Sequence, residues 1–120
     1  MLSVLELADI FLDRTTEDEV GLGEIRGILR VRCPGWTDRE QEEIARRALT
    51  LLLERGLIYV KRGIPFANES HLIFSDARQL LGSVEIMAPV VQVTFVATDE
   101  GWEYYSTGRK LARDPDSGTI

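Results

Sequence analysis

The chain contains one cysteine and one histidine, and this scarcity limits the chemistry it can perform. Cys33 alone excludes an internal disulfide framework and a multi-cysteine zinc site. His71 has no second histidine with which to bind a metal or share acid–base work. The glycines Gly21 and Gly23 lack the lysine and the preceding strand of a phosphate-binding loop. We therefore expect a protein that is not an enzyme and that uses no metal and no cofactor.

No apolar run is long enough to cross a bilayer. The N-terminal stretch is apolar but carries Glu6, Asp9 and Asp13, whereas a signal peptide has a basic start and an uninterrupted apolar core. We expect a cytoplasmic protein without a membrane partner. The 120 residues suit one domain, which we assign to residues 1–108, followed by a flexible polar tail over residues 109–120.

Acidic residues exceed basic ones, and the net charge of −6 opposes non-specific attraction to nucleic acid. The distribution is uneven, because residues 21–62 contain nine bases and six acids, while the segments on either side are acidic. One mildly basic central segment therefore lies between acidic ones.

That central segment contains the strongest local pattern, a long amphipathic helix from Thr37 to Arg55. Thr37 and Glu40 have the spacing of a capping box, and Gly56 suits the left-handed residue that ends a helix. Apolar residues recur at helical spacing and predict the buried stripe: Ile44, Ala45, Ala48, Leu49, Leu51 and Leu52. The residues from Leu57 to Lys61 then favour a strand.

The other elements are predicted from shorter patterns. A first helix follows Ser3, a polar linker covers residues 14–23, and a second helix covers Glu24 to Val31. A long connection from Gly63 to Pro89 includes a short helix capped by Ser75 and ending at Leu81. A strand over Val90–Ala97 pairs antiparallel with Leu57–Lys61, and Thr98 caps a final helix from Asp99 to Ser106.

This order is that of a winged helix-turn-helix domain. The segment from Leu52 to Ile58 resembles the end of that family's recognition helix and its first wing strand. The Thr98-x-x-Gly101 pattern resembles the turn after the second wing strand in MarR- and PadR-like regulators. The resemblance implies an α+β fold with three N-terminal helices, a small antiparallel β-hairpin with a long elaborated connection, and a short C-terminal helix.

The outward face of the long helix and the base of the wing are the candidate binding surface: Arg39, Arg46, Arg47, Thr50, Lys61 and Arg62. One hypothesis is a binding module for another protein, of basic character, comparable to acidic antitoxin, immunity or adaptor proteins. The alternative is a DNA-binding regulator that inserts the helix Thr37–Arg55 into the major groove. Intrahelical pairs of Glu42 with Arg46 and of Glu43 with Arg47 would neutralise the groups that DNA needs.

The charge balance favours the protein partner over DNA, because a helix that meets phosphates is expected to be basic. The long connection after Arg62 also contains one base, Arg78, where a DNA-binding wing usually carries several. Self-association through the first helix, giving a homodimer, is a third alternative.

Overall fold

The computed structural model describes residues 2–63, 70–87 and 92–113. These residues form an α+β structure of five α-helices and one four-stranded antiparallel sheet, with strand order β1-β4-β2-β3. The elements in chain order are α1 (Val4–Glu17), β1 (Val20–Gly21), α2 (Leu22–Arg32), α3 (Asp38–Glu54), β2 (Ile58–Arg62), β3 (Ser70–His71), α4 (Phe74–Ser83), β4 (Val93–Ala97), α5 (Asp99–Ser106) and a 3-10 turn (Leu111–Arg113). Within the described ranges, no helix is long and apolar enough to cross a membrane.

The long central helix α3 begins and ends as its sequence predicts. The Thr37 hydroxyl accepts a hydrogen bond from the Glu40 amide at 3.1 Å, and the Glu40 carboxylate accepts one from the Thr37 amide at 2.9 Å. These bonds satisfy amides that the first turn of a helix leaves without partners, and they lower the pKa of Glu40. Gly56 has a φ of 70°, and the Leu57 amide closes the helix on the Leu52 carbonyl at 3.0 Å.

The predicted pairing of β2 with β4 is confirmed, with a register from Ile58 opposite Ala97 to Arg62 opposite Val93. Residues of β4 alternate between the core and a half-buried face, with Val93, Phe95 and Ala97 buried. This alternation is the period of two that a strand with one core face requires. The predicted start of this strand at Val90 lies outside the described residues.

The segment predicted as a polar linker is instead part of the fold. Helix α1 continues to Glu17, and Thr15 and Thr16 are buried, since their hydroxyls donate to carbonyls of the preceding turn at 2.8 and 2.7 Å. Val20–Gly21 then forms an edge strand against β4. The linker prediction was wrong because polar side chains that bond back to their own helix can be buried without cost to their hydrogen bonding.

The long connection between the paired strands contains an extra strand and a helix. β3 pairs with the end of β2, and the helix predicted from Ser75 to Leu81 is α4, which begins at Phe74 and passes through Gly82. The predicted cap at Ser75 is wrong. Ile73 occupies the capping position and makes no side-chain hydrogen bond there.

The first part of the polar tail packs on α1. Leu111 is fully buried, and the two oxygens of Asp9 accept hydrogen bonds from the amides of Leu111 and Ala112 at 2.7 and 3.0 Å. This part of the predicted tail therefore belongs to the folded body, while residues 114–120 lie outside the described part of the chain.

The predicted helix α5 begins at the cap Thr98 and packs unusually closely on the start of β2. Gly101 lies so close to the Leu57 carbonyl that a Cβ at position 101 would come within 2.1 Å of its oxygen. Thr98 fixes the approach, because its hydroxyl donates to the Gly56 carbonyl at 2.6 Å and accepts from the Gly101 amide at 3.0 Å. Glycine is therefore required at position 101 for space.

We expect Gly101→Ala to lower the free energy of unfolding by about 2–4 kcal/mol, because the new methyl group meets a backbone atom that cannot move aside. Gly27→Ala is the matched control. It lies in the interior of α2 with no neighbour within 4 Å, and we expect it to stabilise the protein by about 0.5–1 kcal/mol. Urea denaturation at fixed pH measures both, and equal effects of the two substitutions would contradict the tight contact.

Candidate binding surface on the long helix

One strip of α3 faces away from the core and contains three of the predicted site residues. Arg39 and Arg47 are exposed and Thr50 is half-buried, and the strip also holds the exposed Glu43 and Glu54. Helix α1 packs on one side of α3, and α4 also packs against it. The elements around the strip therefore decide what it can contact.

Arg46 is the member of the predicted site that the structure uses internally. Its guanidinium donates to the carbonyls of Leu81 and Val84, at the end of α4, with 3.0 Å for the bond to Val84. It also pairs with Glu42 at 3.5 Å, and Glu42 accepts the amide of Ile86. This Arg46–Glu42 clamp satisfies carbonyls that a helix leaves without partners at its C-terminal end. Arg46 is thus correctly placed near the surface but is committed to holding α4.

A second connection ties α4 to the far end of α3. Arg78 of α4 pairs with Glu54 at 2.9 Å, and its Nε donates to the same oxygen at 3.0 Å. Both side chains are about half exposed, so the pair adds little stability on its own. Together with the Arg46–Glu42 clamp, however, it holds α4 and the residues just after it along about three turns of α3, from Glu42 to Glu54.

A cleft of about 330 Å³ opens between the first turn of α1 and the outward strip of α3. Its lining is mostly apolar, with Val4 and Leu5 from α1 and Leu51 from α3. Arg46, Arg47, Thr50 and Glu54 supply the polar part. Among the described residues, no hydrogen bond or ion pair engages Arg47. The cleft therefore combines an apolar floor with a guanidinium and a hydroxyl at its rim, which is the usual composition of a binding site.

The two predicted residues on β2 have different surroundings. Lys61 is four-fifths buried and pairs with Glu19, just before β1, so it links two parts of the fold. Arg62 is exposed and lines a separate shallow cavity with Leu72, Asp76 and Leu80. The structure thus brings Arg46, Arg47 and Thr50 together at one cleft and leaves Lys61 and Arg62 outside its lining.

Gln41 is a structural residue that the sequence did not reveal. It is 4% exposed, and its amide donates to the carbonyls of Cys33 and Trp36 at 3.1 and 3.3 Å. It therefore holds the loop between α2 and α3. The buried stripe predicted for this helix begins at Ile44, so a polar residue at position 41 gave no signal of burial.

The single cysteine and the single histidine both pack against other parts of the protein. Cys33 is buried, and its burial raises the pKa of the thiol, so the nucleophilic thiolate is disfavoured. The His71 ring stacks on Tyr59 with centroids 4.3 Å apart. In the part of the chain that the structure describes, no three His, Cys, Asp or Glu residues come together to hold a metal ion.

Comparison with protein-family models, with curated proteins and with solved structures finds no match to this chain.

Arg46 belongs to the clamp and Arg47 lies at the rim of the cleft, so substitutions at the two positions should differ in their effect on stability. We expect Arg46→Met, which keeps the apolar stem, to lower the free energy of unfolding by about 1–3 kcal/mol, because the carbonyls of Leu81 and Val84 lose their donor. We expect the neighbouring Arg47→Met to change it by less than about 0.5 kcal/mol. Denaturation curves compare the two, and an equal loss of stability would show that Arg46 does not hold α4.

Proposed function

We propose that this chain is a winged-helix-like, non-catalytic module that binds another protein through the outward strip of α3 and its cleft. The winged-helix assignment is supported by the order α1-β1-α2-α3-β2-β4-α5 and by the antiparallel arrangement β1-β4-β2. It is also supported by the Thr98-x-x-Gly101 turn, whose two residues both contact the start of β2. In this assignment, β3 and α4 are an insertion between the two wing strands.

The observation that carries the proposal is the cleft beside Arg47. An apolar side chain of a partner can enter between Val4, Leu5 and Leu51, while a carboxylate or carbonyl next to it accepts from Arg47. Interfaces of this kind gain most of their affinity from a few anchors in pockets with a polar rim. Arg39 and Thr50 extend the same strip and give the partner further polar contacts.

The alternative of DNA binding is opposed by α4. Helices packed side by side have axes about 8–10 Å apart and diameters of about 10–12 Å, so α3 and α4 together are roughly 20 Å wide, whereas the major groove is about 12 Å wide. Arg46 and Lys61 are also engaged within the protein. A flat protein surface suits this broad face better than a groove.

The surroundings of the reactive side chains support the non-catalytic part of the proposal. The cysteine is buried with a raised thiol pKa, and the histidine ring is stacked on a tyrosine outside the lining of the cleft. The cleft itself offers two arginines, a threonine and a carboxylate that is already paired with Arg78. A nucleophile needs a base within hydrogen-bonding reach, and among the described residues no hydrogen bond joins Thr50 to one of these groups.

The proposal is tested by recovering the tagged protein from its native cells together with three variants. We expect a protein to be recovered in a stoichiometric amount with the wild type, and Arg47→Glu to reduce its affinity at least tenfold, or about 1.4 kcal/mol. Thr50→Trp, which fills the cleft, is expected to have a similar effect. Arg113→Glu, an exposed arginine on the 3-10 turn, is the control and should leave binding unchanged.

Duplex DNA is measured in the same series by fluorescence anisotropy at several salt concentrations. Salt-dependent binding that Arg39→Glu and Arg47→Glu abolish, without any recovered protein, would overturn the proposal in favour of DNA recognition. If a recovered partner binds the wild type and the variants Arg47→Glu, Thr50→Trp and Arg113→Glu with the same affinity, the contact lies elsewhere on the surface and the proposed site is wrong.

A further inference from the structure

The exposed face of α5 carries a large aromatic side chain among acids. Trp102 is 51% exposed. On a helix, Asp99 and Ser106 lie one turn before and after it on the same side, and Glu103 follows on the adjoining side. Asp99, Glu100 and Glu103 are all exposed, and α5 contains no base. A two-turn helix thus presents an indole and three carboxylates to solvent.

The groups around this face extend its acidic character on one side. Tyr105 adjoins Trp102 on the helix and is hydrogen-bonded to Asp13 of α1, which raises the pKa of the phenol. The cations nearby, Arg109 and Lys110, lie over the rings of Tyr104 and Tyr105, at 4.4 and 5.5 Å. They are therefore placed at the C-terminal end of the face, on the tyrosines and not on Trp102.

A shallow cavity of about 410 Å³ adjoins the same helix. Leu57 and Tyr104 contribute apolar surface, Glu100 and Glu103 contribute carboxylates, and Thr107 and Arg109 complete its lining. This combination suits a long aliphatic side chain that ends in a cation, because the stem can pack on Leu57 and Tyr104 while its charge remains near the two glutamates. Arg109, which lies over the Tyr104 ring, adds a positive charge to the same lining.

We propose that this face, formed by Trp102, Asp99 and Glu103 with Glu100 farther around the helix, docks an arginine- or lysine-rich segment of a protein. Tryptophan is the best aromatic partner of a cation and a frequent anchor in protein interfaces. The carboxylates of Asp99 and Glu103 beside it, and that of Glu100 farther around the helix, attract basic side chains and repel acidic ones. The charge of the face therefore selects this occupant against nucleic acid or an acidic peptide.

The proposal names the chemistry of a partner and rests on the protein-binding role proposed above, but it uses a different surface. The cleft lies at the first turn of α1, whereas α5 packs on the later part of α1, near Leu12 and Asp13. A partner could contact both surfaces with different segments. A test on α5 can consequently succeed or fail independently of Arg47.

The experiment measures binding of a fluorescein-labelled twelve-residue peptide of alternating arginine and serine to the full chain. A peptide with glutamate in place of arginine is the control ligand. We expect the basic peptide alone to bind at about 50 mM salt and its binding to weaken strongly at about 500 mM, where the Debye length is only a few Å. Trp102→Ala and the pair Asp99→Asn/Glu103→Gln should each weaken it at least tenfold, while Trp102→Tyr should restore part of the loss.

Matched controls are available on α4 and just after its end. Phe74 is 53% exposed, so Phe74→Ala removes a similarly exposed aromatic side chain. Asp76→Asn/Glu85→Gln removes the same number of exposed acids as the α5 pair. These controls should bind the basic peptide as the wild type does. Unfolding curves of every variant show that a loss of binding does not reflect a loss of structure.

Several outcomes would overturn the inference. These are failure of the basic peptide to bind, equal binding by Trp102→Ala and the wild type, and equal weakening by the α5 and α4 substitutions. Sedimentation that showed Trp102-dependent dimers and no peptide binding would assign the face to a second copy of this chain. In each of these cases, an Arg47-dependent partner recovered from cells would leave the proposed function standing.

Discussion

The fold depends on one junction, where the end of α3 and the start of β2 meet the end of β4 and the start of α5. The Thr98 amide donates to the Leu57 carbonyl at 3.0 Å, and its hydroxyl donates to the carbonyl of Gly56 at 2.6 Å. Gly101 packs against the same Leu57 carbonyl with no room for a side chain. Four elements are therefore held by the backbone groups of two adjacent residues. Because α3 leaves this junction in a fixed direction, its outward strip and the face of α5 have fixed positions on the surface.

The segment between β2 and β4, which contains β3 and α4, changes which groups of α3 are exposed. Arg46 and Glu42 lie four residues apart on the helix, and this spacing alone predicts an intrahelical ion pair between them. In the structure, both also bind backbone groups at and after the end of α4. A charge-assisted hydrogen bond to a partly buried carbonyl holds its donor more firmly than an exposed ion pair does. The segment between β2 and β4 thus engages Arg46, whereas Arg39 and Arg47 remain exposed on the strip.

The sequence predicts the elements whose signals are local and does not predict the contacts made over long distances. Each helix-end signal involves residues no more than four positions apart. The capping box of Thr37 and Glu40, the helix end at Gly56 and the N-cap at Thr98 are all found as predicted. β1 has only two residues and forms because β4 lies beside it. A strand this short is too short to show the alternation of apolar and polar residues that predicts a strand. For the site, Arg47 and Thr50 could be predicted from the outward face of the helix. The cleft could not, because Val4 and Leu5 lie more than forty residues away in the chain.

In the folded protein, some of the bases of the central segment are engaged in internal ion pairs and hydrogen bonds. Lys61 pairs with Glu19, and Arg46 is bound to Glu42 and two carbonyls. The strip on α3 mixes Arg39 and Arg47 with acids. In the proposed binding role, shape and apolar contact in the cleft would therefore discriminate between partners more than charge would. On α5 the opposite holds, since its exposed acids are not balanced by a base in the same helix. Electrostatic attraction raises the rate of encounter, whereas a desolvated anchor slows dissociation. One partner that uses both surfaces would therefore be captured by α5 and retained by the cleft beside Arg47.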